Sequence, residues 1–306
     1  MKNVFQHSSE KTLAKEEAMK TRIMAFLVLT TCVFESMWLL APSSSAHPGT
    51  PTDDGRPPLD HIQVISAGSK CASYYWKERG HAPQAYTTGL ALVFARGVCQ
   101  SSRADVKIVS AGRISPGRDA DQTDALNWYD SVFRGLNLSN DKDGVDTLRH
   151  AYTLLLGLGM QESSGKYCAG RDRSANFDSA DSAEAGAFQT SWGASKTNAT
   201  LPKLFDRYSR DRSGCLLDVF SKGVSCSAWD ARTWGEGTGA DWQKLTKACP
   251  AFAAEYAAVL LRTSGGSKGE FGPLRHKKAE VRLECDSMLV EVQTFVESHP
   301  EVCSSL

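Results

Sequence analysis

The chain has 306 residues, of which 41% are hydrophobic and 23% charged. That is enough for one large domain or two small ones with a real core, and it excludes a disordered chain and a polytopic membrane protein. With 35 basic and 35 acidic residues the formal charge is zero, which argues against nucleic acid as a partner, because phosphate binding needs a clustered basic face.

Residues 1–46 read as a secretory signal. Lys20 and Arg22 precede an apolar run from Ile23 to Leu40, and Ser44-Ser45-Ala46 offers a small-residue cleavage site. Met19 is the more typical start for such a segment. Glu35 interrupts the run, and an uncleaved segment would act as a single-helix anchor, the only membrane contact expected. Removing 1–46 takes away nearly equal numbers of basic and acidic residues, so the exported chain stays near neutral. Loss of Cys32 leaves Cys71, Cys99, Cys168, Cys215, Cys226, Cys249, Cys285 and Cys303. An even, scattered set points to disulfides in an oxidising, secreted or periplasmic setting, with buried free thiols as the alternative.

Residues 47–60 form a linker, rich in Pro, Gly and Asp. Helix-like segments follow at Ile62–Arg79, Gln84–Ser101, Asp121–Phe133 and Val145–Met160, the last being the strongest apolar stretch outside the signal. Further ones fall at Leu216–Lys222, Trp242–Lys247, Ala251–Arg262 behind Pro250, and Lys277–Ser298. Val106–Val109 is the best strand signal, and strands are otherwise scarce. The chain is expected to be mainly α.

Three- and four-residue steps along the Val145–Glu162 helix give Leu148, Tyr152, Leu155, Gly159 and Glu162. The glutamate therefore continues the buried stripe, and desolvation there raises a carboxyl's pKa by disfavouring the anion. A glycosidase acid needs that property to hold its proton near neutral pH. Gly157 and Gly159 weaken a helix by about 1 kcal/mol each, so their placement predicts close approach by another backbone or a ligand. A solvent-facing helix-end glutamate is the alternative. After an acid-rich loop comes Glu184-Ala185-Gly186-Ala187-Phe188-Gln189-Thr190-Ser191.

The Glu162-Ser163 pair and the Gly186–Gln189 turn together resemble the catalytic signature of the lysozyme-like superfamily, especially soluble lytic transglycosylases and goose-type lysozymes. Ala187-Phe188 stands where those families carry Leu-Met, and the Glu162-to-Gln189 spacing is longer than theirs. Gly159–Gly165 and Glu184–Ser191 are also similar to a group of uncharacterised secreted transglycosylase-like proteins, over about Cys71–Val292. The resemblance implies a lysozyme-like helical domain at 139–306, a helical extension at 61–138, and disulfide stabilisation. It implies Glu162 as general acid/base, with Ser163 and Gln189 as supporting residues at the sugar. The activity implied is cleavage of β-1,4 bonds in peptidoglycan, in lytic transglycosylases by a single glutamate that leaves a 1,6-anhydro end.

Hydrolysis would instead need a second carboxylate, for which Asp172, Asp181 and Glu184 are candidates; each could equally belong to a solvated loop. A chitin- or chitosan-directed hydrolase on the same fold, and a non-catalytic glycan-binding or inhibitor-like protein, are the rival readings. Tyr167, Phe188 and Trp192 flank the motif and either stack on sugar faces or pack a wall; Tyr256 is a further aromatic candidate. Gly265–Gly269 matches a GxSxG pattern but lacks the strand-to-helix setting of a nucleophile elbow, so it reads as a flexible loop. Asn140–Gly144 hints at a calcium loop, yet His150 stands where its last glutamate belongs; Asp143 reads better as the cap of the following helix. The histidines show no metal spacing, so no metal and no cofactor is inferred.

Overall fold

A computed structural model describes residues 58–113, 118–172 and 178–306; the expected signal and linker up to residue 57 lie outside the described residues. Helix α1 (Pro58–Gly68) stops at its glycine, and the chain turns through Cys71 into a two-stranded antiparallel hairpin, β1 (Tyr75–Trp76) and β2 (Gly80–His81). The expected helix to Arg79 is thus corrected: Glu78 and Gly80 take positive φ (63° and 75°), which makes a turn and ends any helix.

Pro83 then opens α2 (Gln84–Cys99), buried from Ala85 to Gly97 on every side. Ala104–Ser110 is helix α3, where a strand was expected at Val106–Val109. Those two valines lie three apart and both face the core, as one face of a helix allows; a strand would turn them to opposite faces. Short helices α4 (Arg118–Thr123), α5 (Ala125–Trp128) and α6 (Asp130–Gly135) replace the single helix expected there. The chain then enters α7 (Val145–Ser163) through Gly144, at φ 136°. Asp143 does not cap α7; its carboxylate accepts from the Gly112 amide at 2.6 Å.

After a 3-10 turn (Trp192–Thr197) come α8 (Thr200–Arg210), α9 (Leu217–Ser221), α10 (Ala228–Ala231), α11 (Thr238–Ala248) and α12 (Pro250–Ser264). Proline sits at the first turn of α12, where its missing N–H costs nothing. Helices α13 (Gly272–Arg275) and α14 (Leu283–Ser298) and a final 3-10 turn (Pro300–Ser305) complete the order.

Helix α2 packs on α7, α12 and α14, and α7 packs on α12 and α14. The described residues fall in one compact unit with one continuous core. Residues 61–138, expected as an extension of a 139–306 domain, therefore supply a central helix of that core. Small residues allow the close packing. A side chain at Gly157 would strike the Glu280 backbone, and one at Gly159 would strike Tyr86 and Phe188. The Tyr86 hydroxyl donates to the Leu155 and Leu156 carbonyls, at 3.0 Å each.

Four disulfides brace the helices: Cys71–Cys285, Cys99–Cys303, Cys168–Cys226 and Cys215–Cys249. Inside the core, Glu255 meets Arg96 at 3.1 Å and Arg103 and Arg207 at 2.6 Å. Burial pushes this carboxyl up, but the three guanidiniums overcome that and hold it below the usual carboxylate range. Gly265–Gly269 is not a flexible loop: the Gly265 and Ser267 amides donate to the Thr123 and Asp121 carbonyls at 2.7 and 2.8 Å.

Gly157→Ala tests the packing of α7. Helix propensity alone favours alanine by about 1 kcal/mol, whereas overpacking against a backbone costs about 1–3 kcal/mol. The variant is expected to lose net stability in denaturant titration; a gain would mean the Glu280 segment yields freely.

Candidate active site

Helix α7 ends in a left-handed cap. Ser164 takes φ 55° and Gly165 φ 74°, and their amides donate to the Met160 and Gly159 carbonyls, both at 3.0 Å. Glu162 thus lies in the last turn of a helix whose preceding residues, Thr147 to Gln161, are all buried.

The Ser163 hydroxyl donates to the Ala187 carbonyl at 2.8 Å and accepts from the Lys166 amide at 3.0 Å. It ties the end of α7 directly to the 186–189 turn. That turn holds Gly186 at φ 79° and Gln189 at φ 43°, and is closed by Ala185 N–H donating to Thr190 at 3.0 Å. The Gln189 amide nitrogen donates to the Gly170 and Gly186 carbonyls, at 3.1 and 3.0 Å. Its Oε1 is buried without a hydrogen-bond partner among the described residues. Gln189 therefore spends its donor on holding the 166–172 loop against the turn.

Burial first, and then the negative charge of Glu184, push the Glu162 carboxyl up to about 8; Arg79 and Arg275 pull the other way. Glu184 is pushed up to about 7, by burial first and then by Asp172 and Glu270, against Arg171 and Arg275. Two carboxyls with displaced pKa values thus lie in one region, with Glu184 acting on Glu162, the pattern expected of an acid–base site.

Sequence reasoning missed Arg79, Arg275 and Glu270. Arg79 comes from the hairpin, whose position is fixed by Glu280, the acceptor of the Lys77 amide at 2.9 Å and the Tyr74 hydroxyl at 3.2 Å. Arg275 ends α13, with its guanidinium on the Gly269 and Glu270 carbonyls at 2.7 and 2.9 Å. Both arginines are far from Glu162 in sequence, and no local motif announces them.

The expected neighbours divide. Asp172 is exposed and acts on both glutamates. Asp181 is exposed as well, and what the structure gives it is a backbone role: its carbonyl accepts from the Gly193 amide at 2.8 Å. Phe188 is corrected from a sugar-stacking candidate to a core residue; it is 1% exposed and lies beside Tyr86. Tyr256 is fully buried, its hydroxyl donating to the Ser191 carbonyl at 3.1 Å, so its ring is not available to a sugar. Trp192, partly exposed, packs on Phe205 with 5.0 Å between ring centres. The hydroxyl of Tyr167 lies 3.3 Å from Cys226 Sγ, on the disulfide that staples its loop.

In the Asn140–Gly144 segment, Asp141 pairs with Arg113 at 2.5 Å and Arg134 at 2.9 Å, and Asn140 bonds His150 at 2.8 Å. No helix among the described residues is long and apolar enough to cross a membrane. Compared with known protein families, curated proteins and solved structures, the chain matches none.

The raised carboxyls make stability pH-dependent. The unfolded chain releases the Glu162 proton near the ordinary 4.5, while the folded chain keeps it to about 8. Between those values the unfolded state binds fewer protons, so this contribution is fully present at low pH and is lost as pH rises toward about 8. Glu162→Gln should remove that component and stabilise the protein at pH 8 by up to about 4 kcal/mol. A variant with an unchanged pH–stability curve would mean that Glu162 titrates normally.

Proposed function

We propose that this chain is a secreted, lysozyme-like enzyme that cleaves β-1,4 bonds in peptidoglycan, with Glu162 as general acid/base. The observation that carries the reading is the placement of the half-buried Glu162 at the end of a buried helix that Ser163 ties to the 186–189 turn, where burial pushes its carboxyl up to about 8. Such a group gives its proton to a leaving glycosidic oxygen, and its conjugate base then takes one back. Ser163 supports it by locking the helix end to the 186–189 turn, and Gln189 by holding the neighbouring loop. Four disulfides fit an oxidising, extracytoplasmic setting.

In the single-glutamate mode of lytic transglycosylases, Glu162 protonates the leaving oxygen and then accepts the proton of the sugar's own 6-hydroxyl as it closes a 1,6-anhydro ring. Glu184 favours a second reading. Held at about 7 beside Glu162, it is partly ionised at neutral pH and can deprotonate water, giving hydrolysis.

The modes differ in product and in pH profile. Glu162→Gln should lower release of soluble fragments from purified sacculi by about 100-fold or more; turnover at the wild-type rate would end the proposal. Since the acid works only while protonated, kcat/KM should fall as pH rises through about 8. With Glu184 as base the profile gains a rising limb near about 7, lost in Glu184→Gln, and mass spectrometry finds reducing ends. Anhydro ends and no rising limb identify intramolecular transfer.

A further inference from the structure

The four disulfides are not equally placed. Cys71 and Cys285 are buried, as are Cys215 and Cys249, while Cys99 and Cys303 are half-buried. Cys226 is the one exposed cysteine among the described residues, and it pairs with the buried Cys168. A thiol in solution therefore reaches Cys226 Sγ without opening the core, whereas the sulfurs of the two buried pairs are shielded.

The exposed bond also stands at the proposed site. It joins residues 58 apart in sequence, and the loop it closes contains Asp172, Glu184 and the 186–189 turn. Cys168 lies in the connection between the end of α7 and that turn. The same connection supplies the Ala169 carbonyl, which accepts from the Gly186 amide at 2.8 Å, and the Gly170 carbonyl, which accepts from Gln189 at 3.1 Å. The 166–172 loop is thus the support on which the turn rests. On its other side it meets the segment that begins at Cys226. Lys166 pairs with Asp230 at 2.5 Å, the Gly170 amide donates to the same carboxylate at 3.3 Å, and the Trp229 indole donates to the Arg171 carbonyl at 3.1 Å. Water competes for contacts of that kind; the disulfide is the covalent tie at this junction.

We propose that the Cys168–Cys226 disulfide is a redox switch on the proposed site. Closed, it holds the 166–172 loop against the 186–189 turn; opened by a dithiol reductant, it releases the loop and the enzyme loses activity. The inference rests on the glycan-cleaving reading and adds its regulation. One thiolate of the dithiol attacks Cys226 Sγ, forming a mixed disulfide and expelling Cys168 as a thiolate that takes up a proton. The second thiol of the reductant then displaces Cys226, whose sulfur is protonated in turn. Two electrons pass to the protein, and the reductant leaves as its own cyclic disulfide. A chain still in a reducing compartment lacks the bond and cuts nothing; oxidation after export closes it.

The test exposes the folded full chain to graded dithiothreitol, blocks free thiols with iodoacetamide and locates them by mass spectrometry, with release from purified sacculi followed in parallel. Cys168 and Cys226 should be labelled about tenfold faster than any other cysteine, with native circular dichroism. Fragment release should fall about tenfold as they open, and return on reoxidation. The double variant Cys168→Ser/Cys226→Ser, verified as folded, should show the same low rate and no response to dithiothreitol. Labelling of all four bonds together, or selective opening of this one with release unchanged, overturns the switch. If the wild type cuts nothing, the enzymatic reading fails, and hydrogen exchange at the Gly170 and Gly186 amides decides the switch alone. Opening the bond should then speed their exchange by about tenfold; unchanged exchange overturns it.

Discussion

A carboxyl group at the end of a helix that is buried all round is the constraint on which the rest of the molecule turns. Helix α7 has almost no freedom to shift. Tyr86 hydrogen-bonds its carbonyls and abuts Gly159, while the Glu280 backbone lies against Gly157. The left-handed cap at Ser164 and the bond from Ser163 to Ala187 fix where the helix stops. Glu162 therefore stays where the fold puts it, and its anion is costly there.

The surrounding pieces come from distant parts of the chain. The hairpin brings Arg79, the docked 265–275 segment brings Glu270 and Arg275, and the loop behind the Cys168–Cys226 disulfide brings Arg171 and Asp172. Arginines and carboxylates of opposite effect thus share one region. Desolvation outweighs the arginines at both glutamates, which leaves two carboxyls with raised and unequal pKa values. A site of this kind holds its groups in states unfavourable for stability.

Much of this was legible in the sequence because the signals were local. The apolar runs gave α2, α7 and α12 nearly to the residue, and Pro250 marked the start of the last. The helix-weakening glycines before Glu162 announced close approach, and the structure supplies the Glu280 backbone and the Tyr86 side chain as what approaches. The stripe ending at Glu162 predicted its desolvation. Tertiary context decided what remained. The strand expectation came from the β-branched Val106, Ile108 and Val109, whereas the three-residue spacing of the buried valines is helical, and the ion pairs of Arg103 with Asp105 and Glu255 anchor the segment as a helix. Phe188 carries the size and polarity of a sugar-stacking residue, and only packing against Tyr86 shows it to be core. The pairing of eight cysteines was open among many connectivities, and Arg79 and Arg275 carry no local mark of their destination.

The most direct measurement is a carbon-13 titration of the Glu162 carboxyl by NMR in the intact protein, with Glu162→Gln identifying the resonance. The account predicts a midpoint near 8, far above the ordinary 4.5. A midpoint in the ordinary carboxylate range would mean that the group is wet and ionised at neutral pH, and the proton donor assigned to it would not exist.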